Sequence, residues 1–400
     1  MTFFEELKWR GLVKDISSPD LEEKLNNESL TFYWGTDPTA DSLHLGHYSS
    51  LVTAKRLMLH GHKPILLVGG ATGLIGDPRP TAEREIISKE TVSKNIEGLK
   101  KQVTRLLDNK AEVVNNYDWT KDITFLDFLR DIGKYINVNY MLNKDIISRR
   151  LESGITYAEF SYTLLQGFDF LHLFKEKNCT LQAAGSDQWG NITTGIELIR
   201  KIEGTEAYGF TMPLILDKTG KKFGKSEGNA LWLDKEKTSP YLIYQYLLNS
   251  DDSKVIEYLK VFTFLNKEEI DALEEKVKTE PEKREAQKTL AYEVVKDLHG
   301  IEEAEKAKKT SEEVFTKGYS SEGMPSEIIE YKDNMNLMDI LVMTKITTSK
   351  SEARRLVIGN GISVNNEKEL NPERIFTKEE INDLIISKGK KTHIKVNLVK

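Results

Sequence analysis

The sequence predicts an α/β protein whose core is a doubly wound, parallel-sheet (Rossmann-type) domain, followed by an α-helical domain and a small α+β domain. Three observations carry that reading. Over residues 31–230, short apolar runs alternate with longer amphipathic stretches. Over 240–320 only long Lys/Glu-rich helical patterns remain, and the last seventy residues return to a mixed pattern. At 400 residues the chain has room for two or three domains.

Taken in order, Thr31-Phe32-Tyr33-Trp34 and Ile65-Leu66-Leu67-Val68 read as buried strands, with Ala111–Val114 and Leu181–Ala184 as weaker ones. Helical periodicity lies between them, near 46–60, 88–107 and 187–202. In a sheet wound this way ligands sit beyond the carboxyl ends of the strands, so the segments after each strand are where chemistry is expected. Ser253–Phe262 and Lys267–Lys278 read as helices, and 318–334, with Gly318, Gly323 and Pro325, as a linker. The expected division is 1–230, 231–320, a linker at 321–334, and 335–400.

The chain is 39% hydrophobic and 30% charged, ordinary for a globular protein, and its formal net charge is −6. Residues 331–400 hold 13 basic and 9 acidic side chains, so the acidity belongs to the first 330. A protein neutralising nucleic acid over its whole surface would be basic, so any RNA contact is local. One cysteine, Cys179, excludes an intrachain disulfide and reads as a buried structural thiol. No apolar run has the length to span a bilayer, and the N-terminus lacks a secretory pattern. A soluble, cytoplasmic chain with no membrane partner is expected.

The first strand runs into Gly35-Thr36-Asp37-Pro38-Thr39, and a helix opens at His44-Leu45-Gly46-His47. A helix N-terminus favours an anion through its free N–H groups and dipole, and two imidazoles add donors for charge developing on a phosphate. Far along the chain, Lys222-Phe223-Gly224-Lys225-Ser226 offers ammonium groups on a glycine-bearing loop. Either element alone reads as a capped helix or a solvated basic turn. Tyr162, Gln166 and Asp169, at i, i+4 and i+7, share one helix face. Gly69–Pro78 makes a glycine-rich loop, and Gly185–Asn191 opens a further helix.

The pair HLGH and KFGKS, about 175 residues apart, resembles the HIGH and KMSKS motifs of class I aminoacyl-tRNA synthetases. With YxGxDPTADSLHLGH, VGGATGLIGDP, YxxLQGFDF and GSDQWGNI in the same order, the sequence resembles the bacterial tyrosyl-tRNA synthetases over nearly its whole length. The resemblance implies that Tyr33 and Asp169 hydrogen-bond a substrate phenol. A phenylalanine would leave both polar groups without a partner, at considerable cost. It implies that Asp77, Tyr162 and Gln166 hold the substrate ammonium, and that Gln188 lies near the carboxylate and α-phosphate. Thr39, His44 and His47 would stabilise the pentacovalent phosphate, and Lys222 and Lys225 the leaving pyrophosphate. Gly35, Asp37, Gly46, His47, Asp187 and Lys225 would meet ATP. Arg84 matches an arginine of the family's loop after Asp77-Pro78. Trp34 departs from a small cysteine that some relatives carry beside the ribose, and Arg79 stands where some have a lysine-bearing loop.

Magnesium is expected with the pyrophosphate, and no zinc-type ligand spacing or structural metal is expected. Ser349–Val357, Gly361–Asn365 and Lys388-Gly389-Lys390-Lys391 resemble an RNA-binding module shared with a ribosomal protein. Lys350, Arg354 and Arg355 would then meet tRNA phosphates. The family implies a homodimer as well. Two alternatives stand at this point: a tryptophanyl-tRNA synthetase-like enzyme, and a non-catalytic RNA-binding protein on a synthetase scaffold.

Overall fold

The computed structural model describes residues 1–78, 87–151, 153–226, 229–317, 326–365, 367–382, 384–389 and 392–399. They fall into two compact units, one formed by 1–234 with 251–275 and the other by 235–250 with 276–400.

The first unit is built on a six-stranded sheet: β1 (Asp15–Ile16), β2 (Thr31–Thr36), β3 (Lys63–Val68), β4 (Glu112–Asn115), β5 (Cys179–Gly185) and β6 (Tyr208–Met212). Their spatial order is β1-β6-β5-β2-β3-β4. β2 to β6 run parallel, and the two-residue β1 pairs antiparallel with β6 at the edge. β1 and β6 are additions to the strands expected from the sequence; the two residues of β1 cannot register as a hydrophobic period, and Gly209 and Thr211 interrupt the apolar run of β6. The chain winds outward from β2 through β3 to β4, then returns to the other side of β2 with β5. That reversal makes the gap between the carboxyl ends of β2 and β5 the switch point where ligands bind in such sheets.

Among its helices are Leu45–Leu59, Lys89–Leu106, Tyr157–Lys177 and Trp189–Glu203. The last two pack closely because glycines stand where they meet. A Cβ on Gly167 would come within 3.0 Å of Thr194, and one on Gly195 within 2.8 Å of Phe170. Their apolar faces bury Leu164, Phe170, Leu171 and Leu198 in one cluster with Tyr33, Ile65 and Leu67 of the sheet. Burial of this kind contributes roughly 1.5–3 kcal/mol per large side chain. Between β4 and Tyr157 the chain makes several short helices that carry no clear periodicity in the sequence. They leave Phe125, Leu126 and Val138 exposed.

In the second unit, helices Pro240–Leu248, Glu285–His299 and Ile301–Lys317 bury Ile243, Leu247, Leu290 and Val294. Its last part is a five-stranded sheet of β9 (Ser326–Ile329), β10 (Ile362–Val364), β11 (Glu367–Lys368), β12 (Leu384–Lys388) and β13 (Thr392–Leu398), in the order β11-β10-β12-β13-β9. β9 lies inside the segment that reads as a linker and pairs in parallel with β13. Its four residues are too few to reveal a period beside the glycines that precede them. Helices Leu337–Met343 and Lys350–Ile358 bury Leu337, Ile340, Leu341, Ala353 and Val357 in one core with Ile386 and Val396 of this sheet. Among the described residues no helix is long and apolar enough to cross a membrane.

Candidate active site

A cleft of about 520 Å³ opens at the carboxyl ends of β2 and β5. It gathers, from segments up to 190 residues apart in sequence, Tyr33, Gly35, Asp37, Thr39, His44, Gly46, His47, Asp77, Tyr162, Gln166, Asp169, Asp187, Gln188 and Lys222. Each is a residue singled out in the sequence. The backbone of Lys225 pairs with Ala230. Its side chain, like Arg79 and Arg84, lies outside the described residues.

The two motif segments are in contact. The carbonyl of Phe223 lies 3.1 Å from where a Cβ of Gly46 would stand. Gly224 has φ +90°, and a Cβ there would fall 2.5 Å from the amide nitrogen of Gly46. Glycine is required at 224 both for its left-handed backbone and for this approach. The following strand-like stretch is stitched to the HLGH turn by backbone bonds. Leu45 N–H donates to Leu231 O at 2.7 Å, and Leu233 N–H to Leu43 O at 2.8 Å.

His44 caps the helix Leu45–Leu59. Its Nδ1 accepts from Gly46 N–H at 3.0 Å, and His47 Nδ1 accepts from His44 N–H at 3.3 Å. The rings lie 3.9 Å apart. A ring whose Nδ1 accepts carries its proton on Nε2, so each imidazole keeps one N–H as a donor. This corrects the expectation of free backbone N–H groups at the helix start. Leu45, Gly46 and His47 N–H are all taken, the last by His44 O at 2.8 Å. The donors offered to an anion here are imidazoles.

At the inner end of the cleft, Asp169 is 2% exposed and caged by two donors. Asn116 Nδ2 gives to Oδ2 and Trp119 Nε1 to Oδ1, both at 2.9 Å. Burial raises its pKa to about 7 against these two bonds, which pull it down; the charge of Asp37 adds to the rise. Tyr33, 1% exposed, has a hydroxyl with no hydrogen-bond partner among the described residues. Burial pushes its phenol well above the ordinary range, and Asp169 contributes. Gln182, opposite Tyr33 in the register of β2 and β5, also lines the cleft, with its Oε1 unpaired.

Further out the polar groups form two linked sets. Asn116 donates to Thr72, Thr72 to Asp37 at 2.8 Å, and the Tyr162 hydroxyl to the other oxygen of Asp37 at 2.9 Å. Thus Asp37, expected beside adenosine, is also the partner of Tyr162. The second set centres on buried Asn191, whose amide nitrogen reaches Gln166 at 3.0 Å, Gln188 at 2.9 Å and Asp77 at 3.3 Å. Gln188 in turn donates to Asp77 at 2.9 Å. Asn116, Trp119, Gln182 and Asn191 were not assigned roles from the sequence. Asn116 and Trp119 follow the carboxyl end of β4, and that position was the available signal.

In the second unit, Lys350, Arg354 and Arg355 share the helix Lys350–Ile358. Lys350 is paired with Asp339 and Arg354 with Glu373, all partly exposed. Exposed pairs contribute about 0–1 kcal/mol, so a phosphate can displace them. Cys179 is buried, and burial pushes its thiol up, as expected of a structural residue.

Comparison with known proteins agrees with this arrangement. Residues 25–316 match the family of class I tRNA synthetases for tryptophan and tyrosine, and 316–396 match the C-terminal domain of SYY-like tyrosine–tRNA ligases. Tyrosine–tRNA ligase 1 of Bacillus subtilis (strain 168) is 46% identical over 98% of both chains. The crystal structure of a C-terminally truncated mitochondrial tyrosyl-tRNA synthetase from Aspergillus nidulans is 32% identical. It covers 78% of this chain and 94% of its own, with a TM-score of 0.71. A tryptophanyl-tRNA synthetase from Encephalitozoon cuniculi, bound to tryptophan, shares the fold at 14% identity, over 76% of this chain and 87% of its own, with a TM-score of 0.56. By sequence, fold and the residues assembled in its cleft, the chain belongs to the tyrosyl-tRNA synthetases, within the class I aminoacyl-tRNA synthetases.

Proposed function

We propose that this cleft is where the chain, a class I tyrosine–tRNA ligase, joins L-tyrosine to ATP before charging tRNA(Tyr), with the residues above in the following roles. Tyrosine's phenol reaches the inner end, donating to Asp169 and accepting from Tyr33. The unpartnered Tyr33 hydroxyl beside a caged carboxylate is the observation that carries this reading: it is a polar pair built for a hydroxylated ring. An indole would give Asp169 a donor but leave Tyr33 without an acceptor, so the tryptophan alternative is disfavoured.

Asp77, Tyr162 and Gln166 hold the ammonium, and Gln188 orients the carboxylate. That carboxylate attacks the α-phosphorus of ATP in line, giving tyrosyl-adenylate and pyrophosphate. No protein nucleophile is needed; the chain contributes positioning and charge stabilisation. Thr39 and the Nε2–H groups of His44 and His47 meet the α-phosphate and leaving group, with Lys222 and Lys225 opposite. Gly35 and Gly46 allow the nucleotide close to the backbone, and Asp37 and Asp187 lie toward adenosine. Magnesium would enter with the phosphates. Among the described residues no group of three or more His, Cys, Asp or Glu stands together, so the ion's ligands would come chiefly from the nucleotide. The tRNA's terminal ribose hydroxyl then attacks the adenylate.

Two finer points belong to the same reading. Residues 335–400, with Lys350, Arg354 and Arg355, bind tRNA, and the enzyme works in the cytoplasm as a homodimer. Exposed Phe125, Leu126, Leu129 and Val138 on the short helices support a covered surface there. The test is tyrosine-dependent ATP–pyrophosphate exchange, compared with tryptophan and phenylalanine, in the natural chain and in Asp169→Ala. The natural chain exchanges with tyrosine, and the variant loses its preference for the phenol. Equal exchange with all three amino acids in the natural chain would defeat the reading.

A further inference from the structure

Within the lysine loop, Lys221 and Lys222 are exposed but Phe223 is only 4% exposed. Its ring lies 4.7 Å from Phe262, at 23°, and 4.7 Å from Tyr258. Phe262 and Tyr258 sit one turn apart on the helix Asp252–Phe262. The Phe262 ring also stacks on Tyr48 at 5.8 Å and 8°, and Tyr48 directly follows His47. One ring therefore touches both phosphate-handling segments. Tyr258 adds a second tie, its hydroxyl donating to Leu216 O at 3.1 Å.

The helix that carries these rings is itself fixed. Two arginines, each 4% exposed, donate their terminal guanidinium nitrogens to carbonyls at its C-terminal end, while Arg10 Nε is held by Glu6 at 2.7 Å. Arg56, on the HLGH helix, donates to Val261 O at 2.8 Å and to Thr263 O; Arg10 donates to Lys260 O at 3.0 Å and to Leu265 O at 2.7 Å. Cations at a helix C-terminus are favoured by both the unpaired carbonyls and the dipole. The HLGH helix thus grips this helix twice, by a ring near its start and a guanidinium farther along. The loop has no slack against the HLGH turn either, given the approach of Gly224 to Gly46.

We propose that Phe262 is a positioning residue for adenylate formation: in contact with Tyr48 and Phe223, it sets where Lys222 stands relative to His44 and His47. The inference rests on the reading of Lys222 and Lys225 as pyrophosphate ligands. Phe262 touches no substrate and acts only through the loop.

The test is a mutant cycle on the full chain, read as the single-turnover rate of adenylate formation with tyrosine and MgATP, alongside equilibrium tyrosine binding. Phe262→Leu should slow adenylate formation by on the order of 10- to 100-fold, the range expected when a catalytic group shifts by about 1 Å. Tyrosine affinity should stay within about twofold, since Tyr33 and Asp169 are held by other elements. In the Lys222→Ala, Lys225→Ala background the same substitution should cost less than about twofold. Phe262→Met, of about the same volume as Leu and likewise without a ring, should slow the reaction by a similar factor, and it carries the same cycle if the Leu variant does not fold. A full loss in the lysine-free background, or a parallel loss of tyrosine affinity, would make Phe262 a plain core residue and overturn the proposal. If the double lysine variant alone kept the natural rate, the role of the lysines would fall, and this inference with it.

Discussion

Tyr33→Phe separates the roles of one hydroxyl in the free and bound protein. The hydroxyl is buried, has no partner among the described residues, and burial pushes its pKa well above the ordinary range, so it is a neutral group at any working pH. Its bond to the tyrosine phenol is then between neutral partners, with a net contribution of about 0.5–1.5 kcal/mol. Since about 1.4 kcal/mol is tenfold, tyrosine affinity should fall roughly 2- to 12-fold. Phenylalanine never makes the bond, so its weak affinity should not fall, and discrimination narrows by the same factor. In the free protein the substitution removes no bond to the described residues, so the thermal midpoint should hold or rise. Equilibrium dialysis with both amino acids and a thermal melt read all three quantities. Equal losses for tyrosine and phenylalanine, or a midpoint several degrees lower, would mean that the hydroxyl serves the fold and not the ligand.

The pH response follows from Asp169. Its pKa of about 7 in the folded chain lies above the ordinary carboxylate value of about 3.9, so the stability it contributes is complete below about pH 4 and is lost as pH rises through 7. Tyrosine binding should move the other way, tightening up to about pH 7 and levelling beyond, because the phenol donates to the ionised form. Trp119→Phe removes a bond that holds this pKa down, and a pH series of tyrosine dissociation constants should show the midpoint displaced upward. Gly224→Ala places a Cβ 2.5 Å from the Gly46 amide at φ +90°, and should slow pyrophosphate exchange at least tenfold with tyrosine binding unchanged in fluorescence titration. Deleting 335–400 should abolish tRNA charging and spare tyrosine-dependent exchange; normal charging by the shortened chain would refute that division of labour.

How much of this was legible in the sequence depended on what kind of signal each feature leaves. β2 and β3, buried on both faces, declare themselves as apolar runs, and the long helices declare themselves by period. β1 and β9 do not, because two and four residues show no period and their pairing is decided by distant partners. In the cleft, residues inside contiguous motifs are legible in the sequence and the residues that bond to them are not. Asn116 spends both amide hydrogens and its oxygen on Thr72, Asp169 and Ala71, yet in the sequence it is one of two adjacent asparagines in a plain loop. Asn191 was in view within GSDQWGNI, but its bridging of Gln166, Gln188 and Asp77 depends on how two helices cross, which no linear spacing reports.

At the HLGH turn the donors that the sequence implies and those that the fold leaves available differ. A helix N-terminus suggested bare N–H groups waiting for phosphate. The fold instead uses those amides itself, one on a strand-like neighbour and others on the histidine cap. The consequence is an exchange of donors. An imidazole whose Nδ1 accepts from the backbone is held in orientation, with Nε2–H as its second polar group. Under the role proposed for these histidines, the Gly46 and His44 amides that orient the rings exchange static charge at the helix end for oriented side-chain donors. The same bonds also fix the tautomer, since a ring accepting at Nδ1 must be protonated at Nε2. On the proposed role, histidine serves with two distinct atoms, one for the helix and one for the phosphate, whereas Ser, Thr, Asn or Asp satisfies the helix but is too short to present a second group.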